Sequence, residues 1–172
     1  MPMMEKFGKY IGDLVYGAND GIITTFAVVA GVAGAELAPN VVIILGVSNL
    51  LADGFSMATS NYLARKSEND YQKAQSGAHV EMENPIKNAL ATFIAFVIAG
   101  SIPLIPYILG TSDRLFNQAI IATGIALFIV GSLRTRVSHV KWWRGGLEML
   151  FVGALAAGVS YIIGDFLGKI TG

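Results

Sequence analysis

Two long stretches without a charged residue constrain the fold of this chain more than any other feature of its sequence. Residues 88–112 contain no Asp, Glu, Lys or Arg over 25 positions, and residues 115–133 contain none over 19. A helix needs about 20 mostly apolar residues to cross the hydrocarbon core of a bilayer. Each stretch is therefore long enough by itself to predict a transmembrane helix.

Composition points the same way for the whole chain. Of 172 residues, 53% are hydrophobic and 14% are charged, whereas an ordinary soluble domain carries about 25% charged residues. Three further apolar segments are bounded or interrupted only by isolated acids. The predicted fold is an all-α integral membrane protein, a single domain over residues 1–172 with five transmembrane helices. We place the spans near residues 14–35, 41–64, 88–109, 115–134 and 147–167, with breaks at Pro39, Gly110 and Gly145-Gly146.

The position of Asp20 fixes where the first span must begin. A helix over residues 21–36 would have 16 residues and a length of about 24 Å, which is shorter than the roughly 30 Å hydrocarbon core. We therefore expect the helix to begin earlier and to contain Asp20. The alternative is that residues 1–35 form a cleaved signal peptide, although the acids Asp13 and Asp20 are unusual in such a peptide.

The distribution of Lys and Arg predicts the orientation of the spans. Ten of the twelve basic residues precede the first span or lie between spans two and three or four and five, and two lie on the other side. Basic residues concentrate in short cytoplasmic loops. We expect a cytoplasmic N-terminus, a polar cytoplasmic loop over residues 65–86, and a C-terminus on the opposite side. A prokaryotic plasma membrane is the expected location, with a vacuole-like membrane as the alternative in a eukaryotic cell.

The residue inventory excludes several classes of function. Lys plus Arg equals Asp plus Glu at 12 each, so the basic excess of a nucleic-acid-binding protein is absent. The chain has no cysteine and therefore no thiol nucleophile. Both histidines lie in or next to polar loops, and no serine lies at a fixed spacing from a plausible base. We predict no catalytic residue, no cofactor and no enzymatic activity.

Acidic residues inside two of the spans are the main functional signal. Asp20 and Asp53 each carry a carboxylate that costs about 2.5 to 3.5 kcal/mol to insert at mid-membrane, which marks them as candidate functional residues. Counting from the cytoplasmic ends places Asp20 and Met57 at one depth, with Asp53 one turn deeper. Carboxylate oxygens with a thioether sulfur favour Fe²⁺ or another first-row transition ion. A metal ion that binds there must displace protons from the carboxylates.

Polar residues recur on one face of each of these two helices. Asn49, Asp53, Met57 and Asn61 follow a four-residue spacing in span two, and Asp13, Tyr16, Asp20 and Thr24 share a face of span one. Such stripes also occur where helices simply pack together, and the glycine pair Gly17 and Gly21 is typical of close packing. Both interpretations remain open for the polar positions.

Glu148 is a further candidate metal ligand. It lies at the cytoplasmic edge of span five, where it would either control metal entry or pair with Arg144 four residues earlier.

The motifs resemble those of the vacuolar iron transporter family, whose members are five-span exporters of Fe²⁺ and Mn²⁺ from the cytosol. Five of them occur in order along nearly the whole chain. They are Asn19-Asp20-Gly21-Ile22-Ile23-Thr24 with Phe26-Ala27-Val28-Val29-Ala30-Gly31; Ser56-Met57 with Tyr62-Leu63-Ala64 and Lys66-Ser67-Glu68; Pro103-Leu104-Ile105-Pro106-Tyr107; Gly131-Ser132-Leu133-Arg134; and Gly153-Ala154-Leu155-Ala156-Ala157-Gly158 with Tyr161 and Gly164.

The resemblance implies a homodimer with its ion path near the two-fold axis. It also implies Asp20 and Met57 as ligands within the membrane, and export driven by proton exchange. Symmetry would double the donors and so help to complete a coordination shell. The implied partners are a divalent metal ion, protons, the lipid bilayer and a second copy of the chain, with Fe²⁺ or Mn²⁺ as transported substrate.

The sequence departs from the family pattern at two places. Many members read S-M-x-x-G-E-Y in the second helix, whereas this chain has Asn61 at the glutamate position; Asp53, two turns earlier, is a candidate replacement. Eukaryotic members also carry a glutamate-rich cytoplasmic domain between spans two and three, for which residues 65–86 are too few. We interpret the following as a solvated loop, with a metal-collecting site as the alternative: Glu68, Asp70, His79, Glu81 and Glu83.

The leading hypothesis is a secondary transporter that moves Fe²⁺ or Mn²⁺ out of the cytosol in exchange for protons. One alternative is a non-transporting membrane protein whose polar stripes serve helix packing or partner docking, in which Asp20→Asn and Asp53→Asn would be silent or only destabilising. Another is a transporter of a different solute, in which Met57→Leu would have no selective effect on iron.

Overall fold

The computed structural model describes residues 10–76, 84–110, 114–135 and 141–171. These residues contain five helical segments that are long and apolar enough to cross a membrane, which confirms the predicted all-α, five-span fold. The helices are α1 (Ile11–Gly34), α2 (Pro39–Ser76), α3 (Pro85–Gly100), α4 (Ile105–Leu109), α5 (Leu115–Thr135) and α6 (Trp142–Thr171). The third span consists of α3, a 3₁₀ turn (Ile102–Leu104) and α4.

The third span is interrupted because of its two prolines. Pro103 and Pro106 have no backbone N–H and cannot continue an α-helical hydrogen-bond ladder. The chain therefore forms the 3₁₀ turn and resumes as α4. Leu104 and Tyr107, which belong to the interrupted part, are buried in the core.

Helix α1 lies at the centre of the bundle, where it packs against α2, α3, α5 and α6. It approaches α3 closely. A Cβ atom added at Gly17 would collide with the backbone of Thr92, and one added at Gly21 would collide with the backbone of Phe96. The prediction that this glycine pair marks close packing is confirmed, and the helix contains Asp20 as expected.

The lateral surface of the bundle is apolar. Large side chains such as Ile44, Ile98, Ile129 and Ile162 are exposed on the spans. A soluble protein rarely leaves so much contiguous apolar surface in water. This surface fits contact with lipid chains.

Two boundaries differ from the sequence predictions. The glycines Gly145-Gly146, predicted as a break, lie inside α6, which begins at Trp142. They allow α6 to pack directly on α5, since added Cβ atoms would collide with Gly131 and Phe128. Helix α2 also continues beyond residue 64 to Ser76, so the first part of the predicted loop 65–86 is helical. At 1.5 Å per residue its 38 residues span about 57 Å.

One end of the bundle collects most of the basic residues. Here α1 begins, α2 and α5 end, and α3 and α6 begin, as contacts of Asp13 with Asn61 and Asn88 and of Arg134 with Glu148 show. We call it the basic end. The sequence pattern predicts that it faces the cytoplasm.

Candidate metal-binding site

A buried carboxylate joins three helices at the basic end. The side chain of Asp13, in the first turn of α1, is 6% exposed. Its Oδ1 accepts a hydrogen bond from Asn61 Nδ2 of α2 at 2.9 Å, and its Oδ2 accepts one from Asn88 Nδ2 of α3 at 2.9 Å. Asn61 Nδ2 also lies 2.5 Å from Thr92 Oγ1. Asp13 is thus the point at which α1, α2 and α3 meet through side chains.

Arg65 brings a positive charge to this carboxylate. Its Nη2 lies 3.5 Å from Asp13 Oδ1, and its Nη1 lies 3.5 Å from Glu68 Oε2. The guanidinium is therefore shared between a buried acid and an exposed one. It offsets part of the cost of burying the Asp13 charge.

A cavity of about 520 Å³ opens between α1 and α2 beside this cluster. It is large enough to hold a hydrated ion, since small-ligand sites begin near 300 Å³. Its lining includes Asp13, Tyr16, Met57, Asn61, Arg65 and Glu68. The cavity therefore brings a thioether sulfur together with two carboxylates, the combination that suits a first-row transition ion.

Asp13 and Glu68 are one acidic pair on α1 and α2, and Asp20 and Asp53 are a second pair on the same two helices, further from the basic end. The two carboxylates interact electrostatically, and both residues are partly buried. Asn49 Nδ2 donates a hydrogen bond to Asp53 Oδ2 at 2.8 Å. Thr24 Oγ1 donates to the backbone carbonyl of Asp20 rather than to its carboxylate. A cation near both acids would offset their mutual repulsion.

The predicted ligands are thus divided between two levels. Met57 shares the cavity with Asp13, and Asp20 lies outside its lining. Asp20 instead interacts with Asp53, which the depth count placed one turn deeper. Within the described part of the chain, no three His, Cys, Asp or Glu side chains lie close enough to hold a metal ion. A complete coordination shell would need Met57, amide oxygens, water or a second copy of the chain.

Glu148 lies on α6 and pairs with a different helix from the one expected. Arg134 Nη2 of α5 lies 2.6 Å from Glu148 Oε2, and both side chains are largely exposed. The guanidinium of Arg144, the partner considered from the sequence, lies over the ring of Trp143 at 5.5 Å. A role for Glu148 in metal entry stays a prediction.

A protein-family model matches nearly the whole chain. The model of the VIT family matches residues 11–83 and 75–165, which include both acidic pairs. This chain belongs to the VIT family. Its five spans make it a multi-pass membrane protein.

Curated relatives of this VIT family chain are named as iron transporters. Vacuolar iron transporter 1 of Arabidopsis thaliana is 26% identical over 214 aligned positions, covering 91% of this chain and 85% of the relative. The vacuolar iron transporter of Plasmodium falciparum (isolate 3D7) is 24% identical over 220 positions, covering 90% and 81%. Vacuolar iron transporter homolog 3 of Arabidopsis thaliana is 26% identical over 173 positions, covering 96% and 86%.

The alignments also show a difference in length among VIT family members. The first two alignments have more positions than this chain has residues, so those relatives carry insertions that this chain lacks. The two family-model matches overlap at residues 75–83. This overlap begins at the end of α2 and continues into the segment before α3. His79, Glu81 and Glu83 lie in that segment, outside the described residues, so the metal-collecting interpretation stays a prediction.

Sequence reasoning named Asp13 as part of a polar stripe but not as a site residue. The signal was its position seven residues before Asp20, two helical turns away on the same face of α1. Asp13 lies one residue before the predicted first span of residues 14–35. The structure instead buries Asp13 under α2 and α3.

Proposed function

We propose that this protein is a secondary transporter that exports Fe²⁺ or Mn²⁺ from the cytosol in exchange for protons. One observation carries the proposal: Asp20 and Asp53, each partly buried, lie on two membrane-length helices that pack against each other. Ionisable side chains at such positions are costly and are retained mainly for transport or proton transfer. The names of the VIT family relatives support iron as a substrate.

Met57 supports a transition ion over a hard cation. Its thioether lies in the lining of the cavity that also holds Asp13 and Glu68. Sulfur contributes little to binding Mg²⁺ or Ca²⁺, which take oxygen ligands, but it binds softer ions well. A path from this cavity to the Asp20–Asp53 pair would offer an ion carboxylates at two successive levels.

The same acids support proton exchange. A divalent cation binds only to the ionised form of a carboxylate, so a metal ion displaces any proton that the carboxylate holds. Metal binding at Asp20 and Asp53 would therefore release protons, and metal release would take them up. Alternating these two events across the bilayer couples the ion to protons.

An exposed polar face on α1 and α2 supports a homodimer. Ser48, Ser56 and Ser60 are exposed on α2 at membrane level, and Tyr16 on α1 is 60% exposed. Polar side chains within a bilayer face other helices or a water-filled path rather than lipid. A second copy packed against this face would place two sets of Asp20, Asp53 and Met57 around one axis.

Flux measurements on purified protein in proteoliposomes test this proposal. Fe²⁺ kept reduced, or Mn²⁺, is supplied on one side, and metal entry and internal pH are followed together. We expect the wild type to move metal and protons in opposite directions. Asp20→Asn is expected to lower the metal flux about tenfold or more, the loss typical of a weakened metal site.

Asp165→Asn is the matched control. It makes the same chemical change on α6, where Asp165 pairs with Lys169 away from the acidic pairs. We expect its flux to equal that of the wild type. Normal flux through folded Asp20→Asn protein would contradict the role of Asp20, and no flux through any folded variant would contradict transport. Equal effects of Met57→Leu on iron and on a hard cation such as Mg²⁺ would contradict the role of the sulfur.

A further inference from the structure

The contact between Arg65 and Asp13 is loose for an ion pair of this kind. Charge-assisted N–H···O bonds usually measure about 2.7 to 2.9 Å, whereas Arg65 Nη2 lies 3.5 Å from Asp13 Oδ1. Asp13 Oδ1 is also occupied by Asn61 Nδ2 at 2.9 Å. The guanidinium is therefore attracted to Asp13 by charge across a long contact.

Glu68 offers the same guanidinium a second carboxylate. The distance from Arg65 Nη1 to Glu68 Oε2 is also 3.5 Å, and Glu68 lies one turn further along α2. Glu68 is exposed, with 55% of its side chain accessible, whereas the Asp13 side chain is 6% exposed. A small movement of the Arg65 side chain would transfer its charge from the buried acid to the exposed one.

Arg65 also lines the cavity through which an ion would reach Asp13. The lining includes Arg65 and Glu68 together with Met57 and Asp13. A divalent cation entering here is repelled by the guanidinium and attracted by the carboxylate that the guanidinium neutralises. The two cations therefore compete for one negative charge.

We propose that Arg65 is a tethered cation that closes the cavity at the basic end, and that an incoming divalent cation replaces it at Asp13 while Glu68 retains the displaced guanidinium. This inference rests on the proposed transport function. It assigns Arg65 the role of a positioning residue that sets the apparent affinity for the ion and makes no bond to it.

The test is Mn²⁺ flux into proteoliposomes from the side on which the basic end is exposed, with KM and Vmax measured separately. Arg65→Gln removes the competing charge and is expected to lower KM about three- to tenfold, the effect of removing a partly exposed ion pair. Arg65→Lys keeps the positive charge and should give a KM between those of the wild type and Arg65→Gln. Lys73→Gln is the matched control, because it removes one exposed positive charge from the same helix two turns further on.

A substitution at Glu68 provides a second test that leaves the Asp13–Arg65 contact intact. Glu68→Gln removes the acceptor for the displaced guanidinium and should raise KM, a shift opposite in sign to that of Arg65→Gln. In the Arg65→Gln background the same change should have no further effect. An equal rise in KM in the wild-type and Arg65→Gln backgrounds would mean that Glu68 attracts the ion directly. This result would overturn the proposal that Glu68 retains the displaced guanidinium.

Other outcomes separate this inference from the proposed function. A lower Vmax with unchanged KM in Arg65→Gln would show a purely structural ion pair and overturn the inference alone. If the wild type transports neither Mn²⁺ nor Fe²⁺, the proposed function fails, and direct Mn²⁺ titration of the detergent-purified full chain then tests the competition by itself. Tighter Mn²⁺ binding by Arg65→Gln than by Lys73→Gln would support the competition, and equal binding would overturn it.

Discussion

Asn61 differs from the pattern of the family that the sequence resembles, and it contacts a carboxylate of the neighbouring helix. It occupies the place of a glutamate in the motif S-M-x-x-G-E-Y, and its amide donates to the buried carboxylate of Asp13. A neutral donor on α2 therefore faces an acid on α1. The negative charge that the second helix lacks at this level is present on the first. Asp13, like Asp53, is therefore a candidate replacement for the glutamate that is absent at position 61.

Removing the Asp13 charge should destabilise the bundle. Asp13→Asn replaces one acceptor oxygen by a donor and leaves the Asn61, Asn88 and Arg65 donors incompletely paired. The expected loss is about 2 to 4 kcal/mol, typical of breaking a buried charged network. Thermal unfolding of the detergent-purified protein, followed by tryptophan fluorescence, measures it. Asp70→Asn, at an exposed position, is the control, and equal midpoints would contradict the structural role of Asp13.

At the level of elements, the contact between α1 and α3 depends on the absence of side chains. Gly17 and Gly21 bring the two backbones together, and the cavity lies on another side of α1, between α1 and α2. Packing of this kind supplies dispersion contacts that lipid cannot replace. The geometry of the site thus depends on residues that carry no chemistry.

Glycine-to-alanine substitutions, which each add one methyl group, test this dependence. Gly21→Ala would place Cβ against the Phe96 backbone, which cannot move aside, and we expect a loss of about 1 to 3 kcal/mol from overpacking. Gly158→Ala makes the same change in α6 where nothing lies within 4 Å, so the higher helix propensity of alanine should leave stability equal or raise it by up to about 1 kcal/mol. Both are measured by thermal unfolding in detergent. Equal destabilisation by the two variants would contradict the close approach of α1 to α3.

The number of spans followed from the sequence because each has about 20 mostly apolar residues, the length that a membrane-spanning helix needs. The ends of the helices followed less well. Gly145-Gly146 is a break signal in isolation, but contact with Gly131 and Phe128 keeps it helical. The continuation of α2 to Ser76 was missed because its polar composition is equally typical of a loop.

The candidate site was predictable in kind but not in detail. Spacing places Asp20 in a polar stripe of the first span, and Asp53 and Met57 in a polar stripe of the second, since a helix repeats every 3.6 residues. It could not give the relative shift of α1 and α2 along their axes, which long-range packing decides. That shift places Met57 beside Asp13 in the cavity.

At membrane level, the described part of the molecule has a polar face on α1 and α2, whereas α6 exposes apolar side chains. Ser60 on α2 is exposed and lines the cavity, whereas Ile162 on α6 is 67% exposed among other apolar side chains. The first position fits contact with a second copy near the ion path. The second fits contact with lipid.

The absence of native cysteine makes this arrangement easy to test. Ser60→Cys is expected to form cross-linked dimers with a short thiol reagent in membranes, because the dimer axis would bring both copies of residue 60 together. Ile162→Cys, on the lipid-facing surface, should remain monomeric under the same treatment. Gel electrophoresis after treatment measures both. Cross-linking of Ile162→Cys alone would contradict a dimer formed through the α1–α2 face.

The length of α2 makes a tilt of this helix measurable at its C-terminal end. Between Phe55 and Ser76 its sequence contains no glycine or proline, so the residues that usually cause kinks are missing. From Met57 to Ser76 this helical rod measures about 28 Å, and a tilt of about 10° at Met57 would displace its tip by about 5 Å. A spin label on the turns of α2 beyond residue 64 would therefore report any tilting of the helix that carries Met57 and Asp53. Such a label lies away from the ion path.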